Sequence, residues 1–313
     1  MIESSEIING VDIAYQLYGD ETKPTILLIH GLSTPLTGWP PEFVTALVKQ
    51  GYQVLLLDNR DMGRSRLLTN PKLPNFVWTA IKFKFGLSPK VPHSLEDMMM
   101  DTLLLLDHLN INKVHLVGAS MVGMIAQLLA IHHPTRVQTL TSIMSTTGNK
   151  KLPPMSKTVT KKLAKRPASS LYKDRLAYHI NKWQAIGSPQ YPASKEYLTV
   201  YTSSLLERGI TTIGTIRQIL AILAASNREP LLNSINIPSL ILHGECDELV
   251  HVDAGKATAK SIPNAQLKIY PGMGHDFPRE LIAEIVQDIL QFIELHTDTD
   301  KAKKNIESDY EPA

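Results

Sequence analysis

Val114-His115-Leu116-Val117-Gly118-Ala119-Ser120-Met121-Val122-Gly123-Met124-Ile125-Ala126-Gln127 begins as an apolar strand, tightens into a turn with serine at its apex, and continues as a helix. A helix starting at such a turn aims its N-terminal amides, the positive end of its dipole, at the serine oxygen. A serine hydroxyl is a poor nucleophile at neutral pH. It needs a base within hydrogen-bond reach and fixed donors for the oxyanion that forms on attack.

Outward from this stretch, short apolar runs end wherever a polar or glycine residue appears. They cover Thr25 to His30, Gln53 to Asp58, Lys113 to Gly118, Thr139 to Ser145, Ser239 to His243 and Gln266 to Tyr270. Strands buried on both faces have this composition. Helical patterns lie between them, notably Leu95, Met98, Thr102, Leu103, Leu106 and Leu109, opened by Ser94 with Asp97 three residues on. The alternation predicts an α/β fold, a mostly parallel sheet with helices on both faces and ligands bound beyond the carboxyl ends of the strands. Glu6 to Tyr18, alternating around Asn9-Gly10, predicts an opening antiparallel hairpin. The rhythm stops between about Gly148 and Ser226, where helical sequence is punctuated by Pro153, Pro154, Pro167, Pro189 and Pro192. A helical cap inserted over 148–226 is therefore expected, with the core formed by 1–147 and 227–297. An amphipathic helix from about Arg279 to Leu295 closes the core, and the polar stretch 298–313 is expected to be a disordered tail.

The serine turn resembles the nucleophile elbow of the α/β-hydrolases. Ile26-Leu27-Leu28-Ile29-His30-Gly31-Leu32-Ser33 is similar to that fold's strand ending in a His-Gly loop, and the resemblance implies an oxyanion hole from the amides of Leu32 and Met121. Leu240 to Val250 is a strand running into a loop that, by the same resemblance, carries the acid at Asp247. Tyr270-Pro271-Gly272-Met273-Gly274-His275 places His275 at the family's catalytic histidine. Ser120, Asp247 and His275 follow the chain order that this fold uses. Gly38-Trp39-Pro40-Pro41-Glu42-Phe43 and Asp58-Asn59-Arg60-Asp61-Met62-Gly63-Arg64-Ser65 resemble the aclacinomycin methylesterase-like branch of serine esterases. That resemblance implies cleavage of small to medium carboxylic esters through an acyl-enzyme, with no cofactor. Carbon-carbon bond hydrolysis, perhydrolysis and acyl transfer share the triad and stay open.

One position departs from the pattern. The elbow's last glycine is replaced by Val122, with glycine one step later at Gly123. A β-branched side chain there adds volume where helix and strand approach closely. Either the neighbours make room, or the elbow shifts and the chain is an impaired, ligand-binding relative. His30, Gly31, Val122 and Trp78 are expected to touch substrate, although His30 also reads as a packing residue. Trp78 belongs to an aromatic insertion between Leu73 and Leu87 that either covers the pocket or packs on the domain.

Other residues have plainer readings. Asp58, Arg60, Asp61 and Arg64 form a charge cluster that fixes a loop. Glu248 and Asp253 fall later in the loop than Asp247. Cys246, the single cysteine, is an incidental thiol, and none of the other histidines has metal-ligand spacing, so no metal is expected. Lys150 to Arg175 carries nine basic residues against Asp174, which reads as a solvated face or, less simply, a surface for anions. With 313 residues, 43% of them hydrophobic, and a net charge of only +2, the chain gives no reason to expect nucleic acid as a partner. Its apolar runs are too short to span a bilayer, and MIESSEIING has no signal-like apolar segment, so a cytoplasmic location is expected. The oligomeric state is left open.

Overall fold

The computed structural model describes residues 1–67, 69, 72–87 and 89–308. The chain opens with β1 (Ile2–Ile8) and β2 (Val11–Tyr18), joined through Asn9 and Gly10 at φ 51° and 74°. Two successive positive φ angles make the tight primed turn that an Asn-Gly pair tolerates. Next come β3 (Thr25–Ile29), α1 (Pro41–Lys49), β4 (Gln53–Leu57), the short β5 (Arg66–Leu67) and α2 (Phe76–Lys84). Then follow α3 (Leu95–His108), β6 (Val114–Ala119), α4 (Met121–His132) and β7 (Val137–Ile143). Four helices precede the return to the sheet: α5 (Lys157–Leu163), α6 (Tyr172–Ile186), α7 (Lys195–Gly209) and α8 (Thr212–Ala224). The chain ends with β8 (Ser239–Gly244), α9 (Val252–Ser261), β9 (Gln266–Tyr270) and α10 (Arg279–Ser308).

Among the described residues the strands form one nine-stranded sheet in the order β1-β2-β4-β3-β6-β7-β8-β9, with β5 paired to β2. Pairing is parallel from β4 to β9 and antiparallel at β1 and β2. Two buried clusters cover the two faces, one containing Leu95, Leu106, Ile125 and Leu129, the other Phe43, Leu47, Ile285 and Ile289. Complete burial of such side chains contributes about 1.5–3 kcal/mol each, which is why β3, β4 and β6 are apolar on both sides. Helix α3 begins with the expected capping pair, as Ser94 accepts from the Asp97 amide and Asp97 from the Ser94 amide. The chain leaves β3 toward β4 on one side and returns to β6 on the other. That reversal opens a crevice beyond the ends of β3 and β6.

One expectation needs correction. Helix α10 runs to Ser308 rather than ending near Leu295, because no proline or glycine interrupts the sequence before Pro312 and its Lys, Ala and Glu residues favour helix. Of the tail expected over 298–313, residues 309–313 lie outside the described residues. The aromatic insertion contains a helix, α2, capped by the Asn75 side chain accepting from the Trp78 amide. It packs against α8.

The charge cluster joins the α5–α8 segment to the core. Asp58, fully buried, accepts from the Leu36 and Arg64 amides at 2.7 and 2.9 Å and from Arg208 Nε of α7 at 2.8 Å. Asp61 pairs with Arg217 of α8 at 2.9 Å, and Arg60 with Asp101 of α3 at 2.6 Å.

Candidate active site

Ser120 stands between β6 and α4 at φ 56° and ψ −122°, a backbone conformation that L-residues hold only when their surroundings fix it. Its N–H donates to the Ile143 carbonyl at 2.9 Å, and its carbonyl accepts from Ser145 Oγ at 2.8 Å. Both bonds come from β7 and its exit, so the neighbouring strand over-determines the turn. Gly31 brings the β3 loop against it, since a Cβ there would lie 2.8 Å from the Ser120 Cβ.

Val122 leaves this arrangement intact. It is completely buried in the cluster that holds Leu95 and Ile125 and does not line the cavity, so its expected substrate contact is not seen. The close approach falls to Gly123, where a Cβ would lie 2.4 Å from the Ser145 Cβ. The small residue sits one step along the helix, and Val122 turns into the core.

His275 Nε2 lies 2.9 Å from Ser120 Oγ, and His275 Nδ1 lies 2.6 Å from Asp247 Oδ2. A carboxylate only accepts, so Nδ1 carries the proton and Nε2 is left to accept from the serine hydroxyl. Asp247 is buried, and its Oδ1 accepts from the Leu249 and Val250 amides at 2.9 and 2.8 Å. Burial alone would raise its pKa. The charge interaction with His275 and hydrogen bonds from His243 and His275 outweigh burial and hold the carboxyl below its ordinary range. His243 supports the acid from behind, with Nε2 2.8 Å from the Val250 carbonyl and 3.4 Å from Asp247 Oδ2. Sequence reasoning passed over His243, though its place four residues before the acid at a strand end was a usable signal.

Leu32 and Met121 border the same space, and among the described residues neither backbone N–H donates to the protein. Two unused donors beside a nucleophile are what a developing oxyanion requires. His30 packs its ring edge-on against Trp39 and Phe277, and its Nδ1 accepts from the Gly31 amide at 2.8 Å. Burial, helped by the charge on His275, pushes its pKa down to about 3, so it stays neutral. His30 and Gly31 both border the cavity, as expected of them. Trp78 does not: it is 64% exposed on α2, and the cavity lining does not include it. Glu248 accepts from Ser156 Oγ at 2.8 Å and Asp253 pairs with Lys256 at 3.2 Å on the surface, so neither competes with Asp247.

The cavity encloses about 1030 Å³ between the strand ends and the α5–α8 helices. Its far wall, which sequence reasoning did not reach, includes Lys182, Trp183, Leu198 and Tyr201. The end of α6 grips the histidine loop. The His275 N–H donates to the Ile186 carbonyl at 2.8 Å, and Ser188 Oγ donates to Asp276 at 2.5 Å while accepting from the Gly274 amide at 2.8 Å. Among the described residues no cluster of three His, Cys, Asp or Glu side chains could hold a metal, and no helix is long and apolar enough to cross a membrane.

The chain is similar to known proteins. The family model described as Serine aminopeptidase, S33 matches residues 20–282. Rhodomycin D methylesterase DnrP of Streptomyces peucetius is 24% identical over 279 residues, covering 83% of this chain and 87% of that protein. A 2-hydroxy-6-oxononadienedioate/2-hydroxy-6-oxononatrienedioate hydrolase of Klebsiella pneumoniae subsp. pneumoniae is 26% identical over 279 residues, covering 87% of each. The crystal structure of esterase RhEst1 from Rhodococcus sp. ECU1013 superposes with a TM-score of 0.71 at 19% identity, covering 94% of this chain and 99% of that one. The match across strand, elbow, acid loop and histidine loop makes this chain a member of the S33 serine aminopeptidase family, within the α/β-hydrolases.

Proposed function

We propose that the protein hydrolyses carboxylic esters of small to medium size, with Ser120 as nucleophile, His275 as general base and acid, and Asp247 as the group that orients and charges it. The observation that carries this reading is the unbroken path from Ser120 Oγ through His275 to Asp247, at 2.9 and 2.6 Å. Ser120 attacks the ester carbonyl while His275 takes its proton, and the carbonyl oxygen becomes an anion between the Leu32 and Met121 amides. Collapse expels the alcohol, protonated by His275, and leaves an acyl-enzyme. Water, deprotonated by His275, then releases the acid and restores the serine.

Ester rather than peptide cleavage is supported by the methylesterase among the relatives and by the mostly apolar cavity, which suits an acyl or alkyl chain. A cytoplasmic location belongs to the same proposal and is supported by the single cysteine, Cys246. A phosphonate ester probe tests the nucleophile. Covalent labelling at Ser120, absent in Ser120→Ala, is expected together with a loss of chromogenic-ester turnover of about 10⁶-fold. Turnover surviving in Ser120→Ala would overturn the assignment.

A further inference from the structure

Lys182 is a cation without a counterion in the wall of the substrate cavity. It stands on α6 one turn before Ile186, whose carbonyl accepts from the His275 N–H. Four residues of helix rise only about 6 Å. Among the described residues it makes no ion pair and no hydrogen bond, and its one polarisable neighbour is the Tyr178 ring, 5.7 Å from Nζ. His179, three residues earlier and therefore on the same helix face, also borders the cavity and has no hydrogen-bond partner among the described residues. The cavity lining also includes the apolar side chains of Met155, Leu163, Trp183 and Leu198.

Partial burial lowers the lysine pKa from its ordinary value, with no carboxylate offsetting it. The cavity's own acids are otherwise placed. Asp276 accepts from Ser188, and Glu280 is exposed at the start of α10. A cation kept in a largely apolar wall without a partner is costly, and a bound anion removes that cost.

We infer that Lys182 and His179 form an anion subsite in the cap wall, and that the preferred ester carries a carboxylate on the part of the molecule remote from the scissile bond. The inference rests on the esterase reading above and adds the substrate's charge to it. One ammonium matches one negative charge, and the neutral imidazole beside it supplies a ring N–H to the second carboxylate oxygen. A phosphate dianion would leave a charge unmatched in the apolar lining. Burial and the charges of Lys182 and Arg175 lower the His179 pKa to about 4, so the ring contributes a donor and not a second cation.

The test uses mono-4-nitrophenyl esters of succinate, glutarate, adipate and suberate against uncharged 4-nitrophenyl esters of the same acyl lengths. Wild-type protein is expected to favour one charged ester over its neutral match by roughly tenfold or more in kcat/KM, with the best spacer length reporting the distance from Ser120 to Lys182. In Lys182→Met that ratio falls to about one or below, and in Lys182→Arg it is largely kept. A wild-type ratio near one, or a ratio unchanged in Lys182→Met, overturns the subsite. Calorimetric binding of adipate and suberate to Ser120→Ala protein, with and without Lys182→Met, reads the subsite without turnover. Dicarboxylate binding that Lys182→Met does not weaken sinks the subsite. Binding that depends on Lys182, in a protein whose wild-type form hydrolyses none of the esters, sinks the esterase reading instead.

Discussion

The floor of the cavity and its α5–α8 wall treat charge in opposite ways. On the floor, both Asp247 oxygens are occupied, one by the Leu249 and Val250 amides and the other by His275. On the wall, Lys182 and His179 make no hydrogen bond and no ion pair among the described residues, and both meet only the Tyr178 ring. A saturated charge is held in one geometry, which suits a step that must be repeated identically on every substrate. An unsaturated one leaves its binding capacity for whatever enters. Reaction type and substrate choice thus fall to different layers of the molecule.

The sharpest way to break this contrast is at the floor. Asp247→Asn keeps the shape but removes the charge that fixes the His275 tautomer, and ester turnover is expected to fall about 10⁴-fold with little change in KM. Steady-state kinetics check this, and a drop of less than about tenfold would place the floor's control elsewhere.

A second prediction extends the contrast to pH. His30, His93 and His115 are buried, with pKa values lowered by burial to about 3, 4 and 4. The fold therefore keeps them neutral while the unfolded chain protonates them near pH 6.5. Their contribution to stability is complete above about pH 6.5 and is lost as pH falls toward 4, at up to about 1.4 kcal/mol per pH unit for each. Urea unfolding at pH 7, 6 and 5 measures the slope. A flat profile contradicts it.

Third, Arg208→Ala leaves Asp58 buried without its partner from the cap. Asp58 already has a pKa raised by burial against the pull of Arg208. A loss of about 3–5 kcal/mol is expected in urea unfolding, shared by core and cap because the pair joins them. Loosening of the cap helices alone, seen by hydrogen exchange with the core unaffected, would show two units less tightly joined than this pair implies. The smallest effect is expected at Val122→Gly. Removing a core side chain and freeing the helix costs about 1–3 kcal/mol of stability, while turnover stays within about threefold. A large gain in turnover would revive the idea that Val122 impairs the elbow.

The floor was legible in the sequence because its signals are local. A strand, a turn residue and a helix start lie within a few positions of Ser120, and Asp247 and His275 each follow a strand by a few residues. The capping pair at Ser94 and Asp97 was legible for the same reason. Val122 misled because the rule was read by position, whereas the requirement is spatial: a small residue must face Ser145, and Gly123 does. The cap wall was not legible. Lys182 meets the cavity only because α6 is pinned by contacts such as Ile186 with His275, and no periodicity announces a partner 89 positions away in the chain. Helix α2 was hidden by its composition, since an apolar segment exposing Val77, Trp78 and Phe85 lacks the one-sided pattern of a helix packed on a core.

The bond from the His275 amide to the Ile186 carbonyl has a mechanical consequence. A bulky molecule that prises α6 outward pulls on the backbone of the base and draws its ring from the serine hydroxyl. Under the proposed mechanism, a guest that held the helix outward would be penalised in rate even where it found room to lodge.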